Sequence, residues 1–188
     1  MIITVSGMPG SGKSTIAQRI SEILGWERFY IGGLRREIAK SMGLTLDELN
    51  RIGETDISTD KIADDKILEL ASTKDNIIIE GRTAYYFVPK SIKLFFDVGL
   101  KEAAHRIFLQ NRTNEHYETE EEELESLRSR IKSDERRYLK YYKIHCYDRS
   151  QFDIVVDTSH RTVQEVLRET IQGLERLGIK FPKGSVKG

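Results

Sequence analysis

Five short runs of apolar and β-branched residues are spaced along the chain, at residues 2–6, 28–31, 77–80, 92–98 and 152–156. Several of these runs are almost continuously apolar and lack the alternation expected of a strand with one face in water. Continuous runs of this kind are typical of strands that are buried on both faces of a parallel sheet. The pattern therefore predicts five parallel strands that are covered on both faces.

Between these runs, apolar residues recur with helical spacing. The predicted helices cover residues 13–24, 34–42, 60–71, 100–111, 121–142 and 162–177. A further helix begins after a capping box formed by Thr45 and Glu48. Because strands and helices alternate, we predict an α/β fold with three layers, α/β/α, around a five-stranded parallel sheet.

Two connections are longer than a single crossover helix requires. They are helical insertions at about residues 33–73 and 112–137. Insertions at the carboxyl edge of a parallel sheet commonly carry function. The predicted organisation is one domain over residues 1–178 and a flexible tail over residues 179–188.

The segment "GMPGSGKS" follows the first predicted strand and fits the phosphate-loop pattern G-x-x-x-x-G-K-[S/T]. Its glycines allow backbone N–H groups to surround an anion, and the following helix directs its positive dipole end at the same oxygens. Lys13 is expected to reach the β- and γ-phosphates and Ser14 to bind Mg²⁺. We therefore predict a P-loop NTPase fold. The predicted site for the nucleoside triphosphate consists of Gly7, Met8, Pro9, Gly10, Ser11, Gly12, Lys13, Ser14 and Thr15.

A carboxylate at the end of a neighbouring strand is expected to support the metal. Glu80, which closes the run "NIIIE", is the best placed candidate, and Asp97, which closes "KLFFD", is the competing one. The segment "TKDN" is similar to a guanine-recognition sequence, but its order is wrong and it precedes the third strand. We therefore expect the triphosphate to be ATP.

Phosphoryl transfer requires positive charge around the transferred group, and the planar guanidinium group suits phosphates. Arg36 and Arg82 lie where the carboxyl edge of the sheet is expected. The positions of Arg130, Asp134 and Arg137 place them on one face of a helix. Spacing alone fits either a nucleotide-binding group or a surface ion-pair ladder for these three residues. Arg112 also has two interpretations: it belongs either to a closing lid or to a solvated helix face.

The charge and residue composition of the chain limit the kinds of partner that it is expected to bind. The chain has 188 residues, with 30 Lys and Arg against 30 Asp and Glu, so the formal net charge is zero. A domain that binds duplex nucleic acid is usually basic, and this chain is not. No apolar run approaches the length of about 20 residues that spans a membrane. The single cysteine, Cys146, excludes an internal disulfide and indicates a reducing compartment. We expect a cytoplasmic monomer whose partners are small molecules, not nucleic acid or a membrane.

The chain resembles the P-loop nucleoside monophosphate kinases, most closely the archaeal type of cytidylate kinase. The resemblance is carried by "GMPGSGKST", by "IGGLRREIAKSMGLTLDELNRIGETD", by "IIIEGR" and by "RRY" before "FDIVVDTS". It implies ATP and Mg²⁺ as cofactors, a monophosphate-binding insertion and a mobile lid. It implies CMP or dCMP as the acceptor, held by Gly32, Arg36, Arg82 and Asp134, and lid arginines at Arg112, Arg130 and Arg137.

The chain also differs from that pattern. Archaeal relatives usually carry an acid at the position of Gly33 and a phenylalanine at that of Arg35, and "TAYYFVP" follows Arg82 in place of the family's sequence. Since these positions surround the base pocket, AMP or dephospho-coenzyme A are alternative acceptors. A nucleotide-hydrolysing switch, or a fold that only binds nucleotide, are alternatives of another class.

Overall fold

The computed structural model describes residues 1–109 and 117–182. These residues form a five-stranded parallel sheet in the order β2-β3-β1-β4-β5. The strands are β1 (Ile2–Gly7), β2 (Glu27–Tyr30), β3 (Ile77–Glu80), β4 (Ile92–Asp97) and β5 (Ile154–Asp157). The predicted parallel α/β sheet is thus confirmed.

Helices connect the strands and cover both faces of the sheet. They are α1 (Lys13–Leu24), α2 (Ile31–Ser41), α3 (Leu46–Thr55), α4 (Ser58–Thr73), α5 (Ala84–Phe87), α6 (Leu100–Leu109), α7 (Glu120–Tyr142) and α8 (Val163–Arg176). A single 3₁₀ turn at Arg149–Gln151 precedes β5. The predicted capping box is present, because the Glu48 amide donates to Thr45 Oγ1 and the Thr45 amide donates to Glu48.

Alternate residues of the strands supply two sides of the core. Ile3 and Val5 of β1 pack in one cluster with α1 and α8. On the other face, Phe95 packs with α6 and α7, and Ile77 and Ile79 pack with α4. Apolar residues on both faces of the same strands explain the continuous apolar runs in the sequence.

Some predicted boundaries differ from the structure. The second helix begins at Ile31 and not at residue 34, so that Gly32 and Gly33 lie in its first turn. A Cβ at Gly32 would lie 2.7 Å from the ring of Tyr30, and the glycines make room for that ring. The last strand begins at Ile154 and not at residue 152. The short helix α5 and the 3₁₀ turn are not marked by any periodic pattern.

The expectation of a flexible tail from residue 179 is wrong at its start. Ile179 is buried, and Phe181 packs against the same cluster of β1, α1 and α8 residues. The reason is that Gly178 adopts a positive φ of 90° and turns the chain back onto the core after α8. Residues 183–188 lie outside the described part of the chain.

The parallel sheet brings functional groups to one edge. Since all strands run in the same direction, β1, β2, β3 and β4 end together at Gly7, Tyr30, Glu80 and Asp97. The strand order places β1 between β3 and β4, so the loop after β1 emerges between their carboxyl ends. Ligands of open α/β sheets bind in such a crevice.

Candidate active site

A cavity of about 390 Å³ opens at this edge of the sheet. That volume is in the range of small-molecule sites. The phosphate loop lines one end, and α2, α4 and α7 line the other. The lining residues that the sequence singled out are Pro9, Gly10, Gly12, Lys13, Ser14, Thr15, Gly32, Arg36, Glu80, Arg82, Arg130, Asp134 and Arg137.

The phosphate loop is shaped by its glycines. Gly10 and Gly12 have φ angles of 75° and 73°, which favour glycine. A Cβ at Gly10 would lie 2.7 Å from the carbonyl oxygen of Ala103 in α6, whereas a Cβ at Gly12 would meet no atom within 4 Å. Gly10 is therefore required by packing, and Gly12 faces the open space in front of α1.

Helix α1 begins directly after this loop. Its N-cap is Gly12, which has no side chain to accept from the first amides of the helix, so an anion can take that place. Lys13 Nζ donates to the carbonyl of Met8 at 3.4 Å, so the ammonium group lies over the loop. The start of α1 therefore has the form of an anion site.

Of the two candidate carboxylates, the structure brings Glu80 to the loop. Ser14 Oγ donates to Glu80 Oε1 at 2.5 Å, and Arg28 Nη2 donates to the other oxygen at 2.5 Å. Asp97 instead accepts from Arg149 Nε at 2.5 Å and does not line the cavity. The hydroxyl of Ser14 and the carboxylate of Glu80 are adjacent hard oxygen donors, which is the chemistry that Mg²⁺ prefers.

At the other end of the cavity, arginines are held by tyrosines. Arg36 Nη1 donates to Tyr30 Oη at 2.7 Å, and Arg82 Nε donates to Tyr147 Oη at 2.7 Å. Arg82 also lies 2.7 Å from Asp134 Oδ2. Among residues 1–109 and 117–182, the buried Nη2 of Arg82 has no hydrogen-bond partner. A buried donor without a partner costs free energy, and the residue that carries it lines the cavity.

A buried network of ion pairs joins the first insertion to α7. Arg137 donates to both oxygens of Asp60 at 2.8 and 2.9 Å and to Asp134 Oδ1 at 2.6 Å. Arg35 donates to the same Asp60 at 2.5 Å, and Tyr147 donates to Asp134 at 2.9 Å. Burial alone would raise the pKa of Asp134, but the nearby guanidinium groups hold that pKa below its usual value. The network thus keeps a charged carboxylate inside the protein.

This network excludes the surface ion-pair ladder for two of the three residues on α7. Asp134 and Arg137 are 2% and 1% exposed, so they are not part of a surface ladder. Arg130 is half-buried and lines the cavity. Arg112, the remaining predicted lid arginine, lies outside the described residues.

Several cavity residues belong to no recognisable motif. Arg35, which differs from the family pattern, is buried and bonded to Asp60 and Asn50. Asp60 and Asp64 both line the cavity from α4. Asp60 and Asp64 are four residues apart, a spacing that places both side chains on one face of the predicted helix and so indicates that they act together.

Asp64 has an unusual environment for a carboxylate. It accepts from Thr83 Oγ1 at 3.2 Å and from the hydroxyl of Tyr142. Burial raises its pKa from 3.8 to about 6, aided by the charge of Asp60 and opposed by the bonds from Tyr142 and Thr83. Asp64 therefore carries its proton more readily than an exposed aspartate.

Comparison with known families and sequences agrees with this geometry. The profile of the cytidylate kinase-like family matches residues 2–160. A cytidylate kinase of Methanothrix thermoacetophila is 39% identical over 158 residues, which cover 84% of this chain and 88% of that protein. A cytidylate kinase of Sulfurisphaera tokodaii is 36% identical over 168 residues, 88% of this chain and 91% of that protein.

Solved structures support the fold alone. A shikimate kinase from Acinetobacter baumannii in complex with shikimate has a TM-score of 0.58 at 17% identity, with 95% of each chain covered. An uncharacterized protein from Eubacterium ventriosum has a TM-score of 0.70 at 16% identity, covering 93% of this chain and 98% of that one. Within the described ranges of this chain, no helix combines the length and apolar character needed to cross a membrane.

Proposed function

The chain belongs to the cytidylate kinase-like family, and we propose that it transfers the γ-phosphoryl group of Mg·ATP to CMP or dCMP. The observation that carries this proposal is a single cavity with an anion-binding loop at one end and buried arginine donors at the other. Two phosphate-binding ends in one cavity are what transfer between two nucleotides requires. The names of the archaeal relatives support the choice of acceptor.

The loop over residues 7–15 is the proposed ATP site. Its backbone amides and the start of α1 bind the triphosphate, and Lys13 neutralises charge that develops on the phosphates. Ser14 and Glu80 are the proposed groups for Mg²⁺, and their contact supports that assignment. When bound, Mg²⁺ would neutralise charge on the phosphates.

The acceptor is proposed to bind between α2, α4 and the end of β3. Arg36 and Arg82 hold its phosphate, and Arg82 Nη2, which has no partner among the described residues, is a further donor available to it. Gly32 lines the same end of the cavity. An acceptor phosphate is already an anionic nucleophile, so this proposal needs no general base. The protein's task is to align two phosphates and to exclude water.

Residues of the second insertion are proposed to complete the site. Arg130 stabilises the transferred group, and Arg112 joins it as the lid closes. Arg137, whose guanidinium group is buried and bonded to Asp60 and Asp134, holds these elements together. The family resemblance implies that Asp134 contacts the nucleotide. Because both of its oxygens already accept from Arg137 and Tyr147, we assign Asp134 to positioning the arginines. We further propose a cytoplasmic monomer with these nucleotides as its partners.

The test is an acceptor screen. Purified protein with Mg·ATP is given CMP, dCMP, UMP, AMP, GMP or dephospho-coenzyme A, and ADP release is measured with and without EDTA. We expect release that depends on CMP or dCMP and on Mg²⁺. Lys13→Ala, which removes the ammonium group from the loop, is expected to abolish transfer while its circular dichroism spectrum stays unchanged.

The other outcomes separate the alternatives. Release with AMP or dephospho-coenzyme A alone would retain the kinase and replace its acceptor. Release that no acceptor changes would show a nucleotide-hydrolysing switch and refute phosphoryl transfer to a monophosphate. Binding of ATP without any release would show a fold that only binds nucleotide.

A further inference from the structure

Tyr30 lies between the two ends of the cavity. It is the last residue of β2 and the N-cap of α2, and it pairs in register with Glu80 of β3. Its side chain lines the cavity. Its hydroxyl accepts from Arg36 Nη1 at 2.7 Å, and the Arg36 guanidinium carbon lies 5.7 Å from the centre of its ring. Tyr30 thus contacts the proposed acceptor arginine in two ways.

The first turn of α2 is built to receive this ring. A Cβ at Gly32 would lie 2.7–2.8 Å from the ring and hydroxyl of Tyr30, closer than Cβ atoms approach other atoms. A Cβ at Gly33 would lie 3.1 Å from Cδ1 of the same ring. Gly32 is therefore needed for the ring to lie over the helix, and Gly33 avoids a tight contact with it, although each glycine costs helix stability relative to alanine.

On its other side, Tyr30 connects to the proposed metal end of the site. The guanidinium carbon of Arg28 lies 5.4 Å from the centre of the Tyr30 ring. Arg28 donates to Glu80, and Glu80 accepts from Ser14. Contacts therefore run without interruption from Ser14 through Glu80, Arg28 and Tyr30 to Arg36.

We propose that Tyr30 is a positioning residue that fixes the guanidinium group of Arg36 for the acceptor phosphate. This inference rests on the proposed function, because it takes Arg36 as a ligand of that phosphate. A long arginine side chain loses rotamer freedom when it binds. A tyrosine held over two glycines has already restricted that freedom, so acceptor binding costs less entropy.

The test is the conservative variant Tyr30→Phe, which removes the hydroxyl and leaves the ring over the glycines. Initial rates are measured with CMP varied at saturating ATP and with ATP varied at saturating CMP. We expect the KM for CMP to rise about tenfold, the effect of losing a hydrogen bond to a charged group, with the KM for ATP unchanged. Calorimetric titration of CMP without ATP is expected to show the same loss of affinity.

The matched control is Tyr141→Phe, which also removes a hydroxyl that accepts from a cation. Tyr141 Oη accepts from Lys140 Nζ at 3.3 Å and Tyr141 does not line the cavity, so both KM values are expected to equal those of the unaltered protein. Thermal unfolding is recorded for each variant, so that a loss of stability is separated from a change of KM.

The outcomes separate this inference from the proposed function. An unaltered protein that is active with CMP, together with an unchanged Tyr30→Phe variant, would refute the role of Tyr30 alone. An equal rise of both KM values with a lowered Tm would show that Tyr30 only supports the fold. An unaltered protein that transfers to no monophosphate would refute the proposed function and this role with it.

Discussion

Replacing Asp64 by asparagine should change how the stability of the protein depends on pH. Asp64 is 6% exposed and accepts hydrogen bonds from Thr83 and Tyr142. Two charged groups act on the pKa of Asp64, Asp60 on the same helix and Arg35 on α2. Asparagine has nearly the same shape but carries no charge at any pH, so the variant isolates the ionisation of this one group.

The expected size follows from the pKa of Asp64, which burial raises from 3.8 to about 6. One unit of pKa corresponds to about 1.4 kcal/mol, so the shift corresponds to about 3 kcal/mol. Between these two pH values the folded protein holds a proton that the unfolded chain has released. The contribution of Asp64 to stability is therefore most favourable below pH 3.8 and falls as the pH rises, and it includes the full cost of the charged group above pH 6.

The assay is urea unfolding of both proteins at intervals from pH 4 to pH 7.5. Other carboxylates, such as Asp134, titrate alike in both proteins, so the difference in unfolding free energy reports Asp64. We expect that difference to shift by about 3 kcal/mol in favour of Asp64→Asn as the pH rises. Asp65→Asn, at an exposed position on the same helix, should show no such shift. A difference that stays constant across the range would refute the assigned ionisation.

Two further predictions concern the arginines and their carboxylate. Arg82→Lys should raise the KM for CMP about tenfold or more, because lysine lacks the planar guanidinium group that donates to Tyr147 and lines the cavity. Arg128→Lys, the same change at an exposed position, is the control. An unchanged KM would place the acceptor phosphate elsewhere. Asp134→Asn should lower the unfolding free energy in urea by about 3–5 kcal/mol, because it removes the carboxylate that pairs with the buried Arg82 and leaves Arg137 paired with Asp60 alone. A loss no larger than that of the exposed change Glu125→Gln would contradict this reasoning.

The fold and the phosphate loop could be predicted because their signals are local. A continuous apolar run indicates a buried strand wherever it lies, and the loop needs only neighbouring glycines followed by a lysine and a helix. The structure accordingly has β1, the loop and α1 within one residue of the predicted bounds. Short segments such as α5 carry no periodic pattern, and the sequence therefore does not predict them.

The sequence limits the metal-supporting carboxylate to two candidates and favours Glu80, but it does not determine which of them contacts Ser14. Both Glu80 and Asp97 end strands that adjoin β1, so strand order alone leaves them equivalent. What separates them is the direction of each side chain and its bonds: Glu80 accepts from Ser14, and Asp97 accepts from Arg149. Such contacts join residues 52 or more positions apart, and no periodic signal records them.

Two departures from the family pattern, at Arg35 and at Gly33, are each explained by contacts with other residues of this chain. Arg35 replaces an apolar residue, and a buried guanidinium group without a carboxylate would be costly, but Asp60 and Asn50 bind it. Gly33 replaces an acid, and any side chain there would begin 3.1 Å from the ring of Tyr30. Each departure is thus accompanied by another residue of this chain that makes it tolerable. Tyr30, Arg35 and Asp60 all line the cavity at the end proposed for the acceptor. Differences in acceptor affinity from the archaeal relatives should therefore be traced to Tyr30, Arg35 and Asp60 before the loop.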